Sequence, residues 1–197
     1  DRNATLLNCF VMGALEDSID GLFTALRESA ITLQAGGGIG LDFSPIRPAG
    51  AAALRTGNIA SGPVSFMRLW DTMCETMTAD RARHGAMMAV MRCDHPDIEA
   101  FIDAKSVAGA LSHFNLSVLV TDELIRAVDG DAEWPLMFGG QVVRTLRARD
   151  LWDRMLRAAY ESGEPGVLFI DRINRESNLG YAETIHACNP CGEVPLP

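Results

Sequence analysis

The chain has 197 residues, enough for about one domain, and a chain of this length buries about 70% of its unfolded surface. Hydrophobic residues at 48% and charged residues at 22% supply a core and a surface, which excludes disorder. The formal net charge of −9 excludes a sequence-independent grip on DNA or RNA, which needs cations against phosphates, but leaves room for a small phosphorylated ligand held by local arginines. Apolar runs such as residues 86–91 and 116–120 are far too short to span a bilayer. Five cysteines, an odd number with no secretory pattern, predict reduced thiols in a cytoplasmic setting. The absence of an initiator Met and the ending Val194-Pro195-Leu196-Pro197 predict a segment of a longer protein.

Neither an internal repeat nor a linker interrupts the chain, which reads as alternating strands and amphipathic helices. Residues 5–12 are apolar and β-prone and predict a first strand carrying Cys9. Asp17 caps a helix whose apolar positions, Ile19, Leu22, Phe23, Leu26, Ala30 and Leu33, recur at helical spacing. Residues 36–38 are glycines and end that helix, 39–43 predict a strand, and 44–50 a proline-bearing loop. Ser61 caps a second helix over 61–78, with Pro63 in its first turn and Val64, Met67, Trp70, Cys74 and Met77 on one face. Residues 79–85 are polar and basic and predict a loop, and Pro96 opens a short helix through Ile98, Phe101 and Ile102. Phe114, Leu116, Val118 and Val120 alternate as in a strand with one face buried. Thr121 caps a further helix, 134–138 reads as a strand, and 148–162 as a helix stopped by Gly163. Residues 167–171 are the last clear strand before an Asn-rich loop. Alternation of this kind predicts an α/β fold with a largely parallel sheet, and leaves sheet and barrel both open.

Chemistry is densest at Cys188-Asn189-Pro190-Cys191-Gly192-Glu193. As a C-x-x-C it admits a zinc half-site, a thioredoxin-like dithiol, or two buried thiols packing as small hydrophobes. Zinc needs a second pair, which Cys74 and Cys93 do not provide. A reactive dithiol wants a following helix, which Gly192, Pro195 and Pro197 deny. Glu193 tips the balance toward catalysis: in an extended segment it shares a face with Cys191, and its carboxylate can act as a base beside the sulfur. The run Gly36-Gly37-Gly38-Ile39-Gly40 is not the dinucleotide fingerprint, because position 41 is Leu and a strand follows. His95 and His113 are read as structural, Trp70, Trp134 and Trp152 as core, and no metal site is expected.

Residues 189–197 resemble the active-site loop of the catalytic chain of ribonucleotide reductases, and the Pro and Gly around the cysteine are most similar to the adenosylcobalamin-dependent (class II) branch. Further segments resemble the family in family order: Leu7-Asn8-Cys9-Phe10-Val11, residues 36–43, Ser44-Pro45-Ile46-Arg47-Pro48-Ala49-Gly50, His84-Gly85-Ala86-Met87-Met88, His95-Pro96-Asp97-Ile98-Glu99, Phe114-Asn115-Leu116-Ser117-Val118 and residues 166–176. Together they cover nearly the whole chain. The resemblance implies that residues 1–197 form a single segment, about half, of a ten-stranded α/β barrel.

It also implies roles. Cys191 matches the cysteine that becomes a thiyl radical and abstracts the ribose 3′ hydrogen. Glu193 matches the carboxylate that takes the 3′-hydroxyl proton, and Asn189 the amide that holds substrate hydroxyls. Cys9 matches one of the two thiols that reduce the 2′ position, beside Asn8 in the substrate site; the second lies beyond the chain. Asp17, Arg47, Arg83 and His84 match positions that bind or relay a deoxynucleotide or ATP effector. Guanidinium grips phosphate in a planar, bidentate way, which suits Arg47; a plain N-cap for Asp17 and a surface ion pair for Arg47 stay open. The implied cofactor is adenosylcobalamin. The implied partners are a ribonucleotide, a thioredoxin-like reductant and a second copy of the chain, docked through the helices at 17–35 and 61–78. Two alternatives stand beside this: a class I large chain served by a separate metal-radical subunit, and, for the isolated segment, a non-catalytic nucleotide-binding module.

Overall fold

Side chains of alternate parity in the strands decide the architecture. The computed structural model describes residues 7–51, 59–78 and 85–197. In chain order it contains β1 (Cys9–Val11), α1 (Ile19–Gln34), β2 (Gly38–Asp42), α2 (Pro63–Thr78), β3 (Met87–Arg92), α3 (Ile98–Ile102), β4 (Phe114–Val120) and α4 (Asp122–Asp129). There follow β5 (Glu133–Phe138), β6 (Gln141–Arg147), α5 (Ala148–Ser162), β7 (Gly166–Phe169), α6 (Ile170–Glu176), and the two-residue strands β8 (Ala187–Cys188) and β9 (Pro195–Leu196). Strands β1, β2, β3, β4 and β7 lie in that order in one sheet, and every pairing is parallel. Five sequential parallel strands linked by helices match the expected half of a ten-stranded barrel.

One face of this sheet, made by Ile39, Leu41, Phe43, Met87, Ala89, Met91, Phe114, Leu116 and Val118, packs with the helices in a single buried cluster. Trp70 of α2 sits at its centre, edge-on to Phe43 at 5.5 Å, and its indole N–H donates to Ser29 Oγ of α1 at 2.9 Å. The opposite face holds a smaller cluster of Met88, Val90 and Leu119 with Ala187 and Cys188. β4 is therefore buried on both faces, not on one as alternation predicts, because Leu119 on the side away from the helices packs into the second cluster, which Leu168, Ile170, Ala187 and Cys188 complete.

Several expectations shift by a residue or more. Asp17 is not the cap of α1: Ser18 takes that position in an extended conformation, and its hydroxyl accepts from Gly21 N at 2.9 Å. The buried stripe of α1 is Leu22, Ser29 and Leu33, whereas Ile19, Phe23 and Ile31 are exposed. α2 starts at Pro63, after Gly62 rather than Ser61, with Gly62 O accepting from Phe66 N. The strand expected at 167–171 ends at Phe169, and Asp171 lies in α6. β6 escaped prediction; it forms an antiparallel hairpin with β5 across Gly139 and Gly140, both at positive φ. The first strand covers only residues 9–11, and residues 5 and 6 and the loop expected over 79–85, Gly85 apart, lie outside the described residues.

Residues 186–190 cross the inner face of β2 antiparallel to it, in three matched steps. His186 Nδ1 lies 3.5 Å from Asp42 Oδ2, Cys188 O lies over Gly40, and the Pro190 ring lies over Gly38. Only glycine permits the last two. A Cβ on Gly40 would stand 1.7 Å from the Cys188 carbonyl oxygen, and one on Gly38 would stand 2.8 Å from Pro190 Cγ. The first clash is with backbone and cannot be relieved by rotating a side chain; the second is with a ring edge.

Gly40→Ala is accordingly expected to destabilise the intact protein by at least the ~1–3 kcal/mol typical of overpacking, and Gly38→Ala by less; thermal unfolding of both variants checks this order, and equal or absent losses would contradict it. Contact with Asp42 holds the His186 imidazole above its ordinary pKa of 6.5, against a smaller opposing effect of burial. Its stabilisation is therefore complete below the ordinary value and is lost as pH rises through the raised one. Hydrogen exchange of residues 186–190, corrected for intrinsic rate, should rise over that window and become pH-independent in His186→Asn.

Candidate active site

The segment that crosses β2 ends in a tight loop between β8 and β9. Asn189 closes it: its N–H donates to Val194 O at 3.2 Å, its Oδ1 accepts from Val194 N at 2.9 Å, and its carbonyl accepts from Gly192 N at 3.0 Å. Gly192 takes φ +82, a left-handed conformation that most side chains resist. Cys191 and Glu193 therefore sit on a turn rather than on the extended segment that their spacing suggests. The turn still brings them together. A sulfur or carboxylate atom from each of Cys9, Cys191 and Glu193 lies within 4.8 Å of the other two.

Three strands contribute to this meeting. Cys9 opens β1 in register with Gly38, so the first thiol lies at the amino end of the sheet, beside the point where Pro190 crosses. Asn8, exposed, precedes it, and its carbonyl accepts from Gly38 N at 2.7 Å. Asn115, near the start of β4, donates from Nδ2 to Pro190 O at 2.9 Å and so fixes the peptide just before Cys191.

The two cysteines of the C-x-x-C differ in kind. Cys188 is fully buried against Met88, Val90 and Leu119, and burial, with the Glu193 charge adding, pushes its thiol up to about 11. It is packing, as expected. Cys191 is exposed, and residual desolvation, Glu193 and Cys9 all raise its pKa. A redox dithiol needs the opposite shift. The raised value keeps a hydrogen on the sulfur at neutral pH, and no helix follows the motif. Asn189 is buried, and its Nδ2 is a donor with no acceptor among the described residues. Buried polar groups are nearly always paired, and this Nδ2 is one of two buried side-chain atoms without a hydrogen bond among the described residues.

Asp17 and Arg47 stand at the other end of the strands, after β1 and after β2, and they bind each other. Arg47 Nε donates to Asp17 Oδ2 at 2.8 Å, Arg47 N to Oδ1 at 3.3 Å, and Arg47 Nη2 to the Asp17 carbonyl at 3.2 Å. Both are partly exposed. Arg83 and His84 lie outside the described residues. His95 is a core histidine: Nε2 lies 2.9 Å from Ile46 O, Nδ1 accepts from Asp97 N at 3.0 Å, and burial lowers its pKa. His113 is tied to Asp71 through its backbone N–H at 3.0 Å and Nδ1 at 3.2 Å.

Sequence reasoning placed Cys191, Glu193, Asn189 and Cys9 but missed Gly38, Gly40 and Asn115 as parts of the same site. A glycine on every second residue of a strand, in register with a thiol, is the signal that could have found the first two.

The chain is similar to known proteins over almost its whole length. The model for the ribonucleotide reductase barrel domain matches residues 7–197. A vitamin B12-dependent ribonucleoside-diphosphate reductase of Mycobacterium tuberculosis (strain ATCC 25618 / H37Rv) is 44% identical over 194 residues, covering 97% of this chain and 27% of that protein. One from Thermoplasma acidophilum is 37% identical over 191 residues, 95% of this chain and 25% of that protein. The large subunit of the ribonucleoside-diphosphate reductase of Vaccinia virus (strain Copenhagen) is 27% identical over 216 residues, 95% of this chain and 28% of that protein. The chain thus spans about a quarter of the length of the curated relatives it matches. It belongs to the ribonucleotide reductase family, as a segment of that family's α/β barrel domain.

Proposed function

We propose that the intact enzyme containing this chain reduces ribonucleotides to 2′-deoxyribonucleotides through a thiyl radical at Cys191. The observation that carries this reading is the meeting of Cys191, Cys9 and Glu193 within 4.8 Å on a loop closed by Asn189. Sulfur suits the task, because an S–H bond is close enough in strength to an activated ribose C–H for the hydrogen to be taken and later returned. The raised pKa of Cys191 supports this role, since hydrogen-atom exchange needs the thiol and not the thiolate.

Glu193 takes the 3′-hydroxyl proton once the 3′ hydrogen has gone to Cys191. The unpartnered Nδ2 of Asn189 donates to a ribose hydroxyl, and the exposed Asn8 contacts the substrate beside Cys9. Cys9 supplies one of two thiols. Their two hydrogens and two electrons replace the 2′-hydroxyl, which leaves as water, and the thiols become a disulfide. Cys74, Cys93 and Cys188 are buried, so none of them fits as the second thiol. Adenosylcobalamin, when bound, would supply the unpaired electron, and Cys191, whose thiol no residue of this segment buries, is the residue it would have to reach. The B12-dependent relatives at 44% and 37% identity favour this source over the separate radical subunit of a class I chain.

Asp17 and Arg47, with Arg83 and His84, serve a deoxynucleotide or ATP effector. A phosphate there would compete with Asp17 for the Arg47 guanidinium. The exposed Ile19, Phe23 and Ile31 on α1 and Leu69 on α2 support a two-fold homodimer through these helices. A thioredoxin-like protein returns the disulfide to thiols, and a reducing cytoplasm suits that cycle.

In the intact enzyme, Cys191→Ser is expected to abolish reduction of CDP or CTP with adenosylcobalamin and dithiothreitol while leaving effector binding unchanged; retained turnover would overturn the assignment. Glu193→Gln should lower kcat by about 10²–10⁴, the usual worth of a positioned base. Asn115→Ala removes a hydrogen bond worth about 1 kcal/mol and loosens the Cys191 peptide, so kcat should fall several-fold with KM little changed; steady-state kinetics separate the two.

A further inference from the structure

Cys9, Cys191 and Glu193 offer more than hydrogen-atom and proton transfer. Two thiols and a carboxylate converge within 4.8 Å, and within this segment Cys9 is half-buried while Cys191 and Glu193 are exposed. Glu193 has no salt-bridge partner among the described residues, so its charge is uncompensated there. Ligand types, number and spacing together match a three-ligand zinc centre whose fourth position stays open.

We infer that the reduced active site binds a thiophilic divalent cation, Zn²⁺ in the first instance, through Cys9 Sγ, Cys191 Sγ and one Glu193 oxygen, with water as the fourth ligand. With Zn–S near 2.3 Å and Zn–O near 2.1 Å, a tetrahedral site sets its sulfurs about 3.8 Å apart and each sulfur about 3.6 Å from the oxygen. From a separation of at most 4.8 Å, the sulfurs must close by up to about 1.0 Å and each sulfur–oxygen pair by up to about 1.2 Å, within reach of side-chain rotation at Cys191 and Glu193 on their turn. Binding is balanced without redox change: two thiols release two protons, two sulfur–zinc bonds and one oxygen–zinc bond form, and the aquo ion gives up waters. No other cysteine of the chain competes, since Cys74, Cys93 and Cys188 are buried. The coordination rests on the geometry alone. Its consequence rests on the proposed reaction: an ion in this position removes the hydrogen-bearing sulfur, the reducing thiol and the base together, so Zn²⁺ acts as a reversible inhibitor of the reduced enzyme.

The test uses the intact enzyme, reduced, desalted without oxygen and titrated with Zn²⁺ while iodoacetamide alkylation is followed peptide by peptide. Stoichiometric Zn²⁺ should slow alkylation of both Cys9 and Cys191 at least about tenfold, and Glu193→Gln should weaken the protection at least about tenfold. In Cys9→Ser the protection of Cys191 should weaken at least about tenfold, and Cd²⁺ should give a thiolate charge-transfer band in the wild type that weakens in this variant. Unchanged alkylation of both cysteines under Zn²⁺ would overturn the inference, as would Cys191 protection that is the same in Cys9→Ser and in Glu193→Gln as in the wild type. Neither readout depends on turnover, so an enzyme inactive with nucleotides but protected by Zn²⁺ would sink the reaction and keep the metal site.

Discussion

The absence of two side chains on one face of β2 is the constraint from which the rest of the site follows. Gly38 and Gly40 lie on the face away from the helices, and the space they leave is filled by the Pro190 ring and by the backbone of residues 188 and 189. Burial by the helices fixes the other face, where Ile39 and Leu41 are fully buried. The period-two alternation of a strand thus separates two duties within five residues: apolar side chains hold the sheet to α1 and α2, and glycines receive the crossing segment. A backbone carbonyl cannot rotate out of the way as a side chain can, so the close approach at Gly40 sets the height of the whole loop above the sheet. That height, with the register of Cys9 opposite Gly38, is what brings the two thiols together.

The crossing segment also links the two ends of the sheet. At the amino end lie Cys9, Cys191 and Glu193; at the carboxyl end lie Asp17 and Arg47, already bonded to each other. Asp42 stands between them. Its Oδ1 accepts from the Ser44 N–H at 2.8 Å and hydroxyl at 2.5 Å, at the start of the loop that carries Arg47, while its Oδ2 faces His186. Two residues of loop between Ser44 and Arg47, and four of crossing segment between His186 and Cys191, thus join the ion pair to the reactive turn through one buried carboxylate. The path is continuous in space.

Much of this was legible in the sequence, and the failures have physical reasons. Helix positions followed from periodicity, and α5 runs over the residues expected because Gly163, at φ +80, stops it. Asp17 and Ser18 are both good caps, and periodicity cannot choose between neighbours; the choice fell to Ser18 because Asp17 is taken by Arg47, a contact thirty residues away in sequence. The alternation in β4 hid its second buried face, since Ser117 is polar and what covers that face arrives seventy residues later. β6 is exposed almost throughout and carries no apolar alternation to read. At the site, the reactive residues were visible through family resemblance, but their supports were not. Gly38, Gly40 and Asn115 act through a segment remote in sequence, and no local pattern announces such a contact.

The central claim is that the Cys191 sulfur takes the ribose 3′ hydrogen and gives it back. Reduction of a 3′-deuterated ribonucleotide by the intact enzyme tests this most directly, by locating the deuterium in the product. The account predicts slowed hydrogen transfer and deuterium retained at the 3′ carbon of the deoxynucleotide. Loss of the label to water in every turnover, with no isotope effect, would contradict it.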